Sequence, residues 1–80
     1  MYKYVGLIMK KNELSEFVKN RRKVLGLKQL DLAKNAGVGL RFVRDLEQGK
    51  ATLRLDKVNQ VLYLFGHQML PVPKRFELGE

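Results

Sequence analysis

Eighty residues without a cysteine make one small domain, with 16 Lys+Arg against 8 Asp+Glu and a formal net charge of +8. A chain this short leaves its core little margin, so self-association would help to hold the fold. The missing cysteines exclude disulfides, thiolate nucleophiles and Cys-based zinc sites together. The surplus charge is uneven: Lys10 to Lys57 hold thirteen basic and six acidic residues, whereas Val58 to Glu80 hold only Lys74 and Arg75 against Glu77 and Glu80. Concentrated in that way it suits a phosphate-binding surface, and equally a solvated basic face.

Residues 1–11 read as an N-terminal extension. The apolar run Val5-Gly6-Leu7-Ile8-Met9 is far shorter than the ~20 residues a spanning helix needs, so no membrane partner is expected. Met9 is itself a plausible start, which would make residues 1–8 optional; alternatively Tyr2, Tyr4 and Val5 begin a short strand. Both readings stay open.

Residues 12–66 then read as a helical domain. Asn12 is an N-cap candidate, with Glu13 and Glu16 in the first turn, where the helix dipole favours negative charge. Leu14, Phe17, Val18, Arg21 and Leu25 recur at helical spacing until Gly26 stops the segment. A second helix is predicted from about Lys28 to Ala36, burying Leu32 and Ala33, with Lys28 a poor residue at the cap. Gly37-Val38-Gly39 breaks the pattern over only three residues, Gly37 suiting a left-handed helix end and Gly39 an N-cap. The third helix, Leu40 to Gln48, turns Val43 and Leu46 inward and ends at Gly49. A fourth, about Leu55 to Phe65, carries Leu55, Val58, Val61, Leu62 and Phe65 on its apolar face, and Gly66 closes it.

Beyond Gly66 the period changes. Residues 67–73, with Pro71 and Pro73, read as an extended segment confined to a sheet edge. Apart from the N-terminal run, a lone strand in a helical domain has nothing in its own chain to pair with. Pairing with the same strand of a second copy is the economical solution, and it makes Gln68, Met69, Leu70 and Val72 the dimerisation candidates. Residues 74–80 are expected to be a flexible tail.

Two short helices joined by a tight glycine-containing turn, the second rich in arginine, describe a helix-turn-helix. The stretch from Leu27 to Val38 (LKQLDLAKNAGV), followed by Arg41 to Lys50 (RFVRDLEQGK), resembles the XRE family of lambda-repressor-like domains. Within that family, RFVRDLEQGK followed by Thr52 to Val58 (TLRLDKV) looks most like HipB-type antitoxins, DNA-binding partners of HipA-like serine/threonine kinase toxins that repress their own operon. The fold class expected is all-α: a lambda-repressor-like bundle of four to five short helices, with the C-terminal strand pairing in a dimer.

The resemblance implies roles for particular residues. Gln29, Leu40, Arg41, Arg44 and Asp45 would contact bases, Gln29 also touching phosphate, while Lys28 and Lys50 would bind phosphate and set register. Leu40 would meet a thymine methyl, and Asp45 would accept from cytosine N4 or orient an arginine. Arg22 and Glu47 would form a partly buried ion pair between the first and third helices. Phe42 reads as core packing. The partners expected are double-stranded DNA with an inverted repeat, a second copy of the chain, and a HipA-like kinase, in the cytoplasm.

No enzyme is expected. His67 is the only histidine and reads as a cap or surface residue; Ser15 is the only serine and lacks a triad partner. The acidic residues have no metal-ligand spacing, and no glycine-rich loop follows a strand, so neither cofactor nor metal is expected. Two alternatives remain: a stand-alone XRE-type regulator without a toxin, and a protein-interaction or RNA-binding module on the same bundle. The latter is disfavoured because single-stranded RNA binders usually offer aromatic stacking platforms.

Overall fold

The computed structural model describes residues 12–73, and within them the chain forms four helices: α1 (Glu13–Val24), α2 (Gln29–Ala36), α3 (Leu40–Gln48) and α4 (Leu55–Tyr63). Each begins where the chain supplies a partner for an orphan N–H or a residue in extended backbone. Asn12 caps α1: its Oδ1 accepts from Ser15 N at 2.7 Å, and Ser15 Oγ donates back to Asn12 O at 2.8 Å. Ser15 is thereby satisfied although it is fully buried. At α2 the cap residue is Lys28, which cannot accept. The helix compensates from its third position, where Asp31 Oδ2 accepts from Lys28 N at 2.9 Å.

The helices pack around Val18 of α1, Leu32 and Ala33 of α2, Val43 and Leu46 of α3, and Val58, Val61 and Leu62 of α4, all buried. Half-buried Leu14, Phe17, Ala36, Val38, Leu40, Phe42, Leu53 and Phe65 surround them. α3 lies against both α1 and α2, and α2 also meets α4. The result is an all-α helix-turn-helix bundle. Among the described residues no helix is long and apolar enough to cross a membrane.

Two sequence expectations need correction. α4 stops at Tyr63 rather than Phe65, because the next residues tighten: Phe65 N donates to Leu62 O and Gly66 N to Tyr63 O, each three residues back. Leu55 and Leu25, expected on apolar faces, are 58% and 57% exposed. Each sits at a helix end, so the apolar period continues where the core does not. Residues 67–73 form no strand within the single chain, where no edge lies among the described residues; the pairing expected of them is with a second copy. Here Met69 N donates instead to Asn59 Oδ1 at 2.8 Å, and Met69, Leu70 and Val72 stand exposed. The proposed extension, including Tyr2, Tyr4 and Val5, and the tail 74–80 lie outside the described residues.

Candidate nucleic-acid interface

The turn between α2 and α3 is set first by the backbone. Gly37 adopts φ +77°, the left-handed region that costs an L-residue about 1–2 kcal/mol. That conformation lets Gly37 N and Val38 N both return to Ala33 O at 3.0 Å, ending α2. A second lock comes from α4: Gln60 Nε2 donates to Ala36 O at 3.2 Å and Gly37 O at 3.4 Å. The turn is therefore held from outside its own sequence, and α3 leaves it at a fixed angle.

On α3 one face is spent on the core through Val43, Leu46 and Glu47. The opposite face carries Arg41 and Arg44, three residues apart and so in one row on the helix surface. The Arg41 side chain is 86% exposed, and Arg44 is exposed with no ion pair to any described residue. Asp45 stands between two cations: Arg41 Nε at 3.5 Å and Lys50 Nζ at 3.7 Å. Such loose surface pairs contribute little to stability and leave both cations able to turn toward another anion. Lys50 follows Gly49, whose φ of +85° ends α3 and swings the chain away from the helix axis.

Leu40 is half-buried and packs on the core, so only part of its side chain remains for an outside contact. Phe42 is likewise half-buried against the core. Lys28 is exposed at the start of α2, close in sequence to Gln29. Gln29 is half-buried, and its Nε2 donates to Glu47 Oε1 at 3.1 Å.

Glu47 is the centre of a network. Only 2% of it is exposed, yet it accepts three hydrogen bonds: Arg22 Nε to Oε2 at 2.7 Å, Arg22 Nη2 to Oε1 at 3.0 Å, and the one from Gln29. Arg22 Nη1 donates also to Leu27 O at 2.8 Å. One guanidinium thus ties α1, the α1–α2 loop and α3 together. Its hydrogen bonds to Glu47 raise the Arg22 pKa above its ordinary value, with burial pulling the other way.

The dimerisation candidates Gln68, Met69, Leu70 and Val72 lie elsewhere, exposed in the segment after α4 and not gathered with the α3 residues. Gln68 and Met69 border an apolar groove that Leu14, Phe17, Leu62 and His67 complete. His67 Nδ1 lies 2.7 Å from Phe65 O and its ring centroid 4.7 Å from that of Phe17. A carbonyl oxygen only accepts, so Nδ1 carries the proton and donates. Among the described residues no group of three or more His, Cys, Asp or Glu could hold a metal ion.

Sequence reasoning passed over Gln60, Asn59 and the exposed pair Arg54–Asp56, in which Arg54 Nη2 lies 2.7 Å from Asp56 Oδ2. Gln60 and Asn59 act on backbone groups far away in sequence, so no local signal marks them. Arg54–Asp56 was open to a reading of adjacent charges at the start of a helix.

No family model matches the chain. It is 48% identical over 54 residues to the uncharacterized HTH-type transcriptional regulator y4mF of Sinorhizobium fredii (strain NBRC 101917 / NGR234), an alignment spanning 68% of this chain and 71% of that protein.

Proposed function

The chain belongs to the HTH-type transcriptional regulators, and from that premise we propose that it is a repressor that places α3 in the DNA major groove. The observation carrying this reading is the outer face of α3. Arg41, only loosely paired with Asp45, and Arg44 are exposed there beside Lys50, on a helix whose other face is fixed in the core. Arginine offers paired donors that match guanine O6 and N7, each good bidentate pair discriminating by roughly 1–3 kcal/mol. Arg41 and Arg44 are assigned to bases, Leu40 and Asp45 to supporting contacts beside them, and Lys28 and Lys50 to backbone phosphate.

The repressor acts as a homodimer. Met69, Leu70 and Val72 present apolar surface directly after α4, and pairing of residues 68–72 between two copies would cover it. Two α3 helices would then lie about one DNA turn apart, ~34 Å, on an inverted repeat. Acting on DNA, the protein works in the cytoplasm. The finer assignment is a HipB-type antitoxin that binds a HipA-like kinase and represses its own operon; it rests on the run from Arg41 to Val58. A kinase gene adjacent to this one, whose product forms a complex with the purified chain, supports that assignment. A purified kinase of that type that does not bind leaves a stand-alone regulator.

Titration against the chain's own promoter region over a range of salt tests the main reading. Saturable binding to a palindrome in the presence of competitor DNA is expected, and equal binding to every sequence overturns it. Within a half-site, Arg41→Ala should relax base preference. Lys50→Ala should weaken all sequences alike and shallow the salt slope by about one. Leu70→Glu should yield a monomer in sedimentation, and an unchanged mass removes the strand from the dimer contact.

A further inference from the structure

Asp45 is poorly placed for the helix that carries it. α3 ends at Gln48, so Asp45 and Glu47 both fall in its last turn, which holds no basic residue. Backbone carbonyls project from a helix at that end, and a carboxylate there opposes the helix dipole. For Glu47 the reason is Arg22. Asp45 has no buried partner: its neighbours are Arg41 Nε at 3.5 Å and Lys50 Nζ at 3.7 Å, both on side chains more than half exposed. Pairs of that kind add little to folding. Stability does not account for a carboxylate at this position.

What Asp45 does alter is the charge of the candidate interface, and the backbone builds the arrangement. Arg41 lies one turn before Asp45 on the same side of α3. Lys50 is returned to Asp45 by the turn at Gly49, where Lys50 N donates to Asp45 O at 3.0 Å and Gly49 N to Leu46 O at 3.2 Å. One carboxylate thus stands between two of the exposed cations Arg41, Arg44 and Lys50.

Two modes of DNA binding feel that carboxylate differently. Binding to an arbitrary duplex is made by cations on phosphates, so an anion among them is felt in full. Binding to a preferred sequence adds hydrogen bonds to base edges. There a restrained arginine has an advantage, because a free one loses rotamer freedom when it docks. A guanidinium has five N–H donors, and Arg41 comes closest to Asp45 through Nε, so it has donors to spare for a base while it stays beside the carboxylate.

We infer that Asp45 is a specificity-determining residue that acts against arbitrary DNA: as an internal counter-ion of Arg41 and Lys50 it weakens binding to every duplex, and by restraining Arg41 it restores binding to the preferred one. This is discrimination built against the competitor. It rests on the proposal that α3 enters the major groove, and it takes the supporting contact of Asp45 to be the one with Arg41. Asp45 is a positioning residue here and needs no DNA contact of its own.

The test compares the full chain with Asp45→Asn on two duplexes, an operator selected from a random pool and a scrambled duplex of equal length, over a range of salt. Asp45→Asn should bind the scrambled duplex roughly three- to tenfold more tightly, the worth of one or two exposed ion pairs, and the operator within about twofold of the wild type. The gain on the scrambled duplex should shrink as salt rises. Asp45→Glu, which keeps the charge, should keep the ratio between the two duplexes. In an Arg41→Ala/Lys50→Ala background Asp45→Asn should lose most of its effect, and in urea it should unfold no earlier than the wild type.

An equal gain on both duplexes overturns the inference and leaves the repressor reading standing. So does a loss on the operator without a gain on the scrambled duplex, which would make Asp45 a base contact. A gain that survives in the double-alanine background, or a variant that unfolds earlier in urea, also overturns it. A random pool that yields no preferred sequence for the wild type removes both the inference and the reading beneath it.

Discussion

Two ion pairs in this chain have the same closest approach, 2.7 Å, and almost nothing else in common. Arg22 and Glu47 join α1 to α3 across 25 residues of sequence, with side chains 14% and 2% exposed. Arg54 and Asp56 stand two residues apart at the start of α4, 68% and 61% exposed. Distance therefore says little about what either does. The exposed pair exchanges water for water-screened attraction, and it is local enough to form in the unfolded chain as well. The buried pair exists only when three segments have already come together, so it reports on the fold, and its loss strands a charge out of water.

Breaking the buried pair should have the largest effect. Glu47→Ala leaves the Arg22 guanidinium uncompensated and Gln29 Nε2 without its acceptor, and should lower the unfolding free energy by about 3–5 kcal/mol. A domain this size has little more than that in total. Urea unfolding should show a variant partly unfolded without denaturant; a loss below about 1 kcal/mol would place the pair with its exposed counterpart. The double variant Arg22→Met/Glu47→Leu sharpens the point. Removing both charges for apolar groups of similar volume is often neutral or stabilising, so the transition should return close to that of the wild type.

An uncharged contact sets the scale between the two pairs. Gln60→Leu removes the amide that reaches Ala36 O and Gly37 O, with a cost of about 1 kcal/mol. Gly37→Ala should cost about 1–2 kcal/mol by a different route: a Cβ there would meet only Gln60 Nε2 at 3.6 Å, an ordinary contact, so the penalty is backbone strain at φ +77°. Both follow from denaturant midpoints. Both should also lower operator affinity, because each loosens the angle at which α3 leaves the turn.

The same contrast between local and distant contacts explains how much could be read in advance. The ends of α3 follow from Gly39 and Gly49, and the α2–α3 turn from Gly37, because each signal lies within a residue or two of what it determines. The buried faces of α2 and α3 follow from period for the same reason. Leu25 and Leu55 mislead because period describes a helix and not what packs beside its two ends. Gln60 reaches its carbonyls across 23 or 24 residues and Gln29 reaches Glu47 across 18, and no spacing rule connects such positions. The pairing of Arg22 with Glu47 entered through a family resemblance, since nothing in the intervening residues implies it. Two of the residues singled out, Gln29 and Leu40, thus have inward contacts that an outward-facing reading of the helix surface does not contain.

The smallest effect belongs to the exposed pair, and pH gives its sign. Hydrogen bonds from Arg54 hold the Asp56 carboxyl below its usual value of 3.8, helped by the charge of Arg54 and the N–H of Lys57, with desolvation opposing. A carboxyl with a lowered folded value binds protons less readily in the folded state than in the unfolded one. Its contribution is therefore present above the usual carboxylate range and disappears as pH falls through the lowered value. Asp56→Asn should accordingly differ from the wild type slightly at neutral pH and not at all in strong acid. It should also lose that difference in 1 M salt, where the screening length falls to about 3 Å. Matched thermal unfolding curves at pH 7 and pH 2.5, with and without salt, measure it. A difference that persisted through acid and salt would mean that Asp56 supports the first turn of α4 by its shape, through the bond it accepts from Lys57 N at 2.9 Å, and that its pairing with Arg54 is incidental.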